Sequence, residues 1–538
     1  MVDREEAARE HVARIIADLS RPEAYPAPAG SIALEETHAS VVFLTDGFVY
    51  KVKKPVDYGF LDFSTFEKRR FYCQEELRLN RRLTDGVYLE VVPVVEVGGR
   101  LQLHGDGPVV EYAVKMRRLP DDRMLAHLLD TGRVDDQVFP VLADRLARFY
   151  REAATGPGID EWGTAEAAAF SIRENVEQTQ AYAGAIIAPF QLRLIDRVSR
   201  EFFEREARMF AERVAGGRIR EGHGDLHLAH ICVLGERPED LQIIDCVEFN
   251  PRLRCGDVAV DVAFLAMDLD YHGHPDLARR FVALLSERLE DPDLERLVHF
   301  FSIYRAHVRA KVACLRLDEI VPELPEHLPV QREAERYIDL ATSYMVESAR
   351  PTLFLVGGLS GTGKSVVARR LARALGASLV SSDVVRKELA GRSPESHEPV
   401  AFGAGIYAAP ATERTYDELL DRARGILSGG RSVVLDATFL DPRWREQAAR
   451  AAGLVSSDLL LVECHCPPEV VEERLARRGR LAPDPSEADW AIYQRQREHY
   501  GETLVAMDQL PQVVVDTDRP SAQVLDTLLG QIDLRRRI

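Results

Sequence analysis

An apolar run at 352–356 leads through Gly358-Leu359-Ser360-Gly361-Thr362-Gly363-Lys364-Ser365 into a helix-like stretch at 366–375. This G-x-x-x-x-G-K-[ST] pattern works only as the turn between a strand and a helix. Glycines let the backbone wrap an anion so that successive N–H groups point inward, Lys364 neutralises the β and γ charges, and the Ser365 hydroxyl can hold Mg²⁺. Around that turn the fold class follows. Apolar runs at 378–381, 432–435, 459–463 and 513–515 alternate with helical segments, which predicts a C-terminal α/β domain with a parallel sheet and helices on both faces.

Two carboxylates fall where such a sheet binds ligands. The second strand runs into Ser381-Ser382-Asp383, with Arg386 one helical turn later, and the third ends in Asp436-Ala437-Thr438. Both acids should lie at the carboxyl edge. Asp383 is placed to accept a proton from an acceptor hydroxyl or to help hold Mg²⁺, and Asp436 to orient the metal; helix capping is the alternative for each. Arg474, Arg477, Arg478 and Arg480 crowd a helix end before Ala482-Pro483-Asp484-Pro485. They read either as a lid that stabilises charge on a transferred phosphoryl group or as a solvated basic helix end.

On the phosphate loop, Asp383-x-x-Arg386, Asp436 and the arginines, residues 350–538 resemble the small P-loop kinases related to gluconate kinase, polynucleotide kinase and zeta toxin. The resemblance implies transfer of the ATP γ-phosphate to a hydroxyl, with Lys364, Asp383, Arg386, Arg474 and Arg478 in catalytic roles. It names no acceptor, since 391–415 carries no readable pattern.

A second constellation lies earlier. His223-Gly224-Asp225-Leu226-His227 follows a helical region, and Ile243-Ile244-Asp245 comes twenty residues after Asp225. Across about 30–320 the chain resembles aminoglycoside phosphotransferases and their choline-kinase and protein-kinase-like relatives. That resemblance implies an α+β protein-kinase-like fold, a small antiparallel-sheet lobe plus a helical lobe. Asp225 would then position or deprotonate the acceptor, Asp245 hold Mg²⁺, Lys51 contact the α and β phosphates and Glu76 pair with Lys51, with Lys53 on the same strand face as the competing choice. Asp257 and Asp261 would buttress the loop, His223 brace it, and His227 be solvated. The family's metal-binding Asn, five residues after the catalytic Asp, is His230 here. Imidazole nitrogen is a poor ligand for a hard ion, so His230 should shift metal preference, weaken ATP binding or mark a degraded site. A glycine-rich loop of the protein-kinase type is missing; Ser40 and its neighbours would have to cover the phosphates.

Organisation supports several domains: a helix and connector at 1–29, with apolar Val12, Ile15, Ile16 and Leu19; a lobe at 30–118; a helical lobe at 119–320; a linker and helix at 321–350; and the P-loop domain at 351–538. A strand is expected at 48–56 and a hairpin around Gly98-Gly99. Phe301, Tyr304, Val308, Val312 and Leu315 form one apolar stripe, and Arg305, Arg309 and Lys311 lie toward its polar side, as contacts for an anionic acceptor or a solvated face. The 69 basic and 87 acidic residues give a net charge of −18, which argues against nucleic-acid partners. Seven cysteines without a C-x-x-C pair indicate reduced thiols, and Cys464-His465-Cys466 reads as a strand end rather than a metal site. No apolar run approaches the ~18 residues of a membrane span, and a cytoplasmic protein is expected.

The expected activity is therefore an ATP- and Mg²⁺-dependent phosphotransferase with two nucleotide sites, acting on a small hydroxyl compound such as a sugar, an alcohol or an aminoglycoside-like molecule. Two alternatives stand beside it: a P-loop kinase or ATPase regulated by an N-terminal pseudokinase or sensor, and a polynucleotide or nucleotide-sugar kinase. Oligomeric state is not legible.

Overall fold

Alternation along one strand organises the first part of the chain. The computed structural model describes residues 2–26, 30–135, 137–235, 237–321, 324–347, 351–393, 405–478, 490–500 and 510–532. In it, β1 (Ala33–Glu36), β2 (Ser40–Leu44), β3 (Phe48–Lys53), β4 (Tyr88–Val97), β5 (Arg100–Gln102) and β6 (Val109–Arg117) form an antiparallel sheet in the order β1-β2-β3-β6-β4-β5. The strand expected over 48–56 stops at Lys53, before Pro55, which has no N–H to continue a ladder. Tyr50 and Val52 of β3 join Val41, Phe43 and Ala113 on one face, which α1 (Val2–Leu19) covers with Ile15 and Leu19. Period-two geometry sends Lys51 and Lys53 to the opposite face. There α2 (Phe66–Asn80) presents Glu76; Thr65 caps it by accepting from the Lys68 N–H at 3.2 Å. Gly98 and Gly99, at φ 60° and 79°, close the expected two-residue hairpin between Val97 and Arg100, because this turn needs positive φ at both centres.

Chain contacts divide the molecule into two units, Met1–Ser171 with Phe202–Arg305, and Ile172–Glu201 with Ala306–Ile538. The rest of the first unit is helical, apart from two short antiparallel pairs: β7 (Ile219–Glu221) with β10 (Cys255–Asp257), and β8 (Ile231–Val233) with β9 (Leu241–Ile243). Phe202 stacks on Phe300 with centroids 3.7 Å apart. Arg213, buried, clamps Asp257 and, at 2.8 Å, Asp291. Asp257 is thus structural, as expected.

In the second unit β11 (Thr352–Gly357), β12 (Ser378–Ser381), β13 (Val433–Asp436), β14 (Asp458–His465) and β15 (Gln512–Asp516) form an all-parallel sheet in the order β12-β13-β11-β14-β15. Central β11 is buried on both sides: Phe354 and Val356 pack on Val367, Leu371 and Leu528, while Leu353 and Leu355 pack on Leu419, Trp444 and Ala448. By chain contacts, segments 172–201 and 306–347 group with this unit. Polar contacts explain the grouping. Gln191 donates to Asp339 (3.2 Å) and Thr342 (3.1 Å), and Asp339 in turn pairs with Arg373 of the helix Lys364–Ala374 at 3.2 Å.

The apolar stripe expected on the helix Leu294–Leu317 holds at Phe301, which is buried, and is corrected toward the C-terminal end. Val312 and Leu315 are 41% and 48% exposed, while Ala306, His307, Ala310, Ala313, Cys314 and Leu317 are buried. Small residues let neighbouring backbone approach, so the buried face is the alanine face. Arg305 is also not solvated: it is buried, donates to the Val260 carbonyl and lies 4.7 Å from the Phe264 ring. All seven cysteines are free, Cys464 being buried at the end of β14, where burial pushes its thiol up to about 12. Among the described residues no helix is long and apolar enough to cross a membrane.

Arg213→Ala strands two buried carboxylates, and a loss of about 3–5 kcal/mol from the first unit is expected, read as a fall in its urea midpoint; an unchanged midpoint refutes the clamp. His307 gives a pH test in the second unit. Its Nε2 meets the Thr179 hydroxyl at 2.9 Å, its Nδ1 is buried without a partner among the described residues, and burial, then Lys311, lowers its pKa to about 3. An unfolded histidine titrates near ~6.5, so the unfolded chain takes the proton first and stability falls as pH drops below that value. The loss should reach about 2–3 kcal/mol by pH 4.5 in wild type and shrink in His307→Gln, as measured by denaturation at both pH values.

Candidate functional site

The phosphate loop leaves β11 at the centre of the sheet and enters the helix Lys364–Ala374. Gly358, Gly361 and Gly363 have φ of 130°, 80° and 87°. A Cβ on Gly358 would sit 2.6 Å from the Cys464 carbonyl, and one on Gly361 2.8 Å from Val471, so both glycines are required by space as well as by conformation. Thr362 Oγ1 and Lys364 Nζ each donate to the Leu359 carbonyl at 2.8 Å, which braces the loop from inside. From outside, Thr517 Oγ1 donates to the Thr362 carbonyl at 2.6 Å, and Ser360 N–H donates to Gln496 Oε1 at 2.8 Å.

A cavity of about 720 Å³ opens beside this loop. Ser360, Gly361, Gly363, Lys364, Ser365, Asp383, Arg386, Asp436 and Arg474, all chosen from the sequence, line it together. Register explains the two acids: Ser381 of β12 pairs with Asp436 of β13, which pairs with Val356 of β11, so all three strands end level with the loop. Arg386 is buried, donates to the Ile406 carbonyl (2.8 Å) and Thr412 Oγ1 (3.1 Å), and lies 4.8 Å from the Tyr407 ring. Arg474 is tied to the Thr517 carbonyl at 2.7 Å, beside Gly363. The side chain of Arg478, together with Arg480 and the 482–485 turn, lies outside the described residues, as does 394–404 within the 391–415 segment.

Several lining residues escaped the sequence reading. Tyr416 stacks on Trp444 at 4.6 Å, and its hydroxyl lies 3.2 Å from Thr438 Oγ1; Arg443 lies 5.6 Å from the Trp444 ring. With Thr412 and Glu413 they line the same cavity. Aromatic positions on helices read as core, and here Tyr416 serves core and cavity together.

The first unit brings Lys51, Glu76, Asp225, His230 and Asp245 into one charged cluster. Lys51 Nζ lies 2.7 Å from Asp245 and 3.0 Å from Glu76. Burial opposes its charge, but Asp245, Glu76 and Glu248 outweigh that and hold its pKa well above the ordinary value. Lys53, 1% exposed, is locked between Glu76 and Glu248, whereas Lys51 keeps 17% of its side chain accessible, so Lys51 is the lysine that faces the site. Asp245 sits at φ 63°, a left-handed conformation that a short polar side chain tolerates better than most. Burial works against its ionisation, but Lys51 and His230 hold its pKa well below the usual carboxylate range.

Asp225 is likewise held low, burial being outweighed by His227, His230 and His223. Asp261 accepts from the Gly224 N–H at 2.7 Å and from that of His223, the loop-buttressing role expected of it. His223 braces the loop as expected: its Nε2 meets the Ile244 carbonyl at 2.9 Å, and burial lowers its pKa to about 4. His227 departs from expectation. It is half-buried and packed against His230, with centroids 3.8 Å apart and the rings tilted by 36°.

The AAA domain family matches residues 353–503, the segment that contains the loop and the cavity. Among solved structures, a gluconokinase from Sinorhizobium meliloti 1021 is 20% identical, covering 34% of this chain and 90% of its own, with a TM-score of 0.25. Longer matches come from mycobacteria, each 34% identical over 468 residues, which is 87% of this chain and 90% of the relative. The chain belongs to the family of these proteins, Rv2004c of Mycobacterium tuberculosis and Mb2027c of Mycobacterium bovis.

Proposed function

We propose that the chain is an ATP-dependent phosphotransferase whose second unit transfers the γ-phosphate to a hydroxyl of a small molecule. The carrying observation is that Lys364, Ser365, Asp383, Arg386, Asp436 and Arg474 converge on one cavity. Loop N–H groups and Lys364 bind the β and γ phosphates, and Arg474, anchored beside Gly363, faces the transferred group. Asp383 takes the proton as the acceptor oxygen bonds to phosphorus and the bond to the departing ADP breaks. Ser365 and the buried Asp436 supply hydroxyl and carboxylate oxygens, a donor set that fits Mg²⁺. When bound there, Mg²⁺ supplies positive charge to the phosphates. Tyr416 and Trp444 offer an apolar wall, and Arg386 and Arg443 the charge, for a compact polar acceptor such as a sugar or related alcohol.

We further propose a second nucleotide site in the first unit, with Lys51 on the phosphates and Asp225 on an acceptor. Its low pKa makes Asp225 a weak base, suited to orient a hydroxyl and receive the proton late. The rival reading, a sensor that binds nucleotide without turnover, is favoured by His230 at the position where the resemblance expects Asn.

The test is transfer of labelled γ-phosphate from ATP into a cytosolic small-molecule extract by wild type, Lys364→Ala and Asp225→Asn. Loss of phosphate charge should cut P-loop turnover by about 10²–10³-fold in Lys364→Ala, while Asp225→Asn spares that product. A product lost only in Asp225→Asn assigns a second activity; nucleotide binding with no such product supports the sensor. Equal labelling in all three proteins overturns both assignments.

A further inference from the structure

We propose that Asp225, His227 and His230 form a binding site for a borderline transition-metal dication, with Zn²⁺ the best chemical match. Each of the three offers a ligand atom within 4.8 Å of the others, and among the described residues this is the one such His/Cys/Asp/Glu group. His227 Nε2 and His230 Nδ1 each lie 3.5 Å from Asp225 Oδ2. Both distances are longer than a good hydrogen bond, so neither imidazole is held tightly to the carboxylate. For His227 it is close to the edge of a tetrahedron with ~2.1 Å metal bonds, about 3.4 Å.

Tautomer geometry points the same way. His230 Nδ1 lies 2.9 Å from the Asp225 main-chain carbonyl, and a carbonyl only accepts, so the ring proton sits on Nδ1. Nε2 is left with its lone pair, 3.7 Å from Asp245 Oδ2, which makes Asp245 a further ligand within reach. Metal-binding imidazoles characteristically donate their other N–H to a backbone carbonyl or carboxylate, which fixes ring orientation. His227, its ring tilted 36° against that of His230 with centroids 3.8 Å apart, is held in place by that ring and by Phe264 at 5.6 Å. Two imidazoles and one or two carboxylates make a mixed N/O set. Zn²⁺ and its first-row neighbours prefer such a set, whereas Mg²⁺ demands oxygen. Three protein ligands also leave a coordination position open.

The site shares Asp225 with the second nucleotide site proposed above but is a property of the free protein, so it is tested without nucleotide or acceptor, where its failure leaves that reading untouched. Full-length chain stripped with chelator is titrated calorimetrically with ZnCl₂ in excess MgCl₂, and separately with CoCl₂, whose visible ligand-field bands report nitrogen ligation. Wild type should take up one more ion per chain than His227→Ala or His230→Ala, and the bands assigned to that ion should vanish in both. His230→Asn, closest in shape, should bind at least ~tenfold more weakly while keeping its circular dichroism spectrum. Equal stoichiometry and equal Co²⁺ spectra in wild type and all three variants overturn the proposal, as does displacement of Zn²⁺ by equimolar Mg²⁺.

Discussion

Space beside one strand end governs the second unit. Gly358 must pass within contact of the Cys464 carbonyl, and Gly361 against Val471 and Leu475, so the phosphate loop exists only where side chains are absent and the neighbouring elements are fixed. Fixing them falls to the core on both faces of β11 and to Thr517, which joins the loop to the end of β14 by donating to Thr362 and contacting the His465 carbonyl at 2.9 Å. Because the sheet is parallel and in register, the acids at the ends of β12 and β13 then arrive at the loop without further adjustment. The cavity is the crevice that this level termination leaves.

The first unit rests on a different device, charge buried in pairs. Lys53, Glu76 and Glu248 lie under the sheet where water cannot solvate them, and two lysines keep Glu76 ionised against its burial. Such a cluster gives little net stability compared with apolar packing, but removing one member leaves an uncompensated charge. Its structural effect is to hold β3 against α2. Lys51, one pleat along, is thereby delivered beside Asp245 with its charge enforced. Arg69 with Glu111, and Arg213 between two aspartates, repeat the pattern elsewhere in the unit.

Much of this was legible because local chemistry and global fold agree. Strands buried on both faces are short apolar runs, and those expected at 352–356, 378–381, 432–435, 459–463 and 513–515 match β11 to β15 within one or two residues. Gly98-Gly99 was readable because few residues other than glycine accept two positive φ values in succession. Helix partnership was not readable: 172–201 and 306–347 are amphipathic, and amphipathicity shows that a face is buried without showing against what. The same ambiguity misplaced Val312, Leu315 and Arg305, where alanines rather than large side chains make the contact. It also hid Tyr416 and Trp444, since a cavity wall and a core have the same composition. His227 escaped because a lone polar residue in a loop carries no period, and its place beside His230 is set by the fold.

Donor chemistry separates the two clusters more sharply than their motifs do. Ser365 and Asp436 present oxygen alone, and a P-loop fold can hardly do otherwise, since the residue after the lysine must be small enough to begin a helix under the phosphates. Around Asp225 no such limit applies. The 3₁₀ turn Leu228–His230 returns the chain to Asp225, and whatever residue stands at 230 must reach both the Asp225 carbonyl and the Asp245 carboxylate. An asparagine can donate one N–H to the carbonyl and leave its oxygen for an ion held beside Asp245. Histidine can present one N–H and one lone pair at a similar span, so it keeps the loop geometry while exchanging an oxygen ligand for nitrogen. Histidine at 230 therefore keeps the loop bonded to the Asp225 carbonyl and offers an ion nitrogen where an asparagine would offer oxygen.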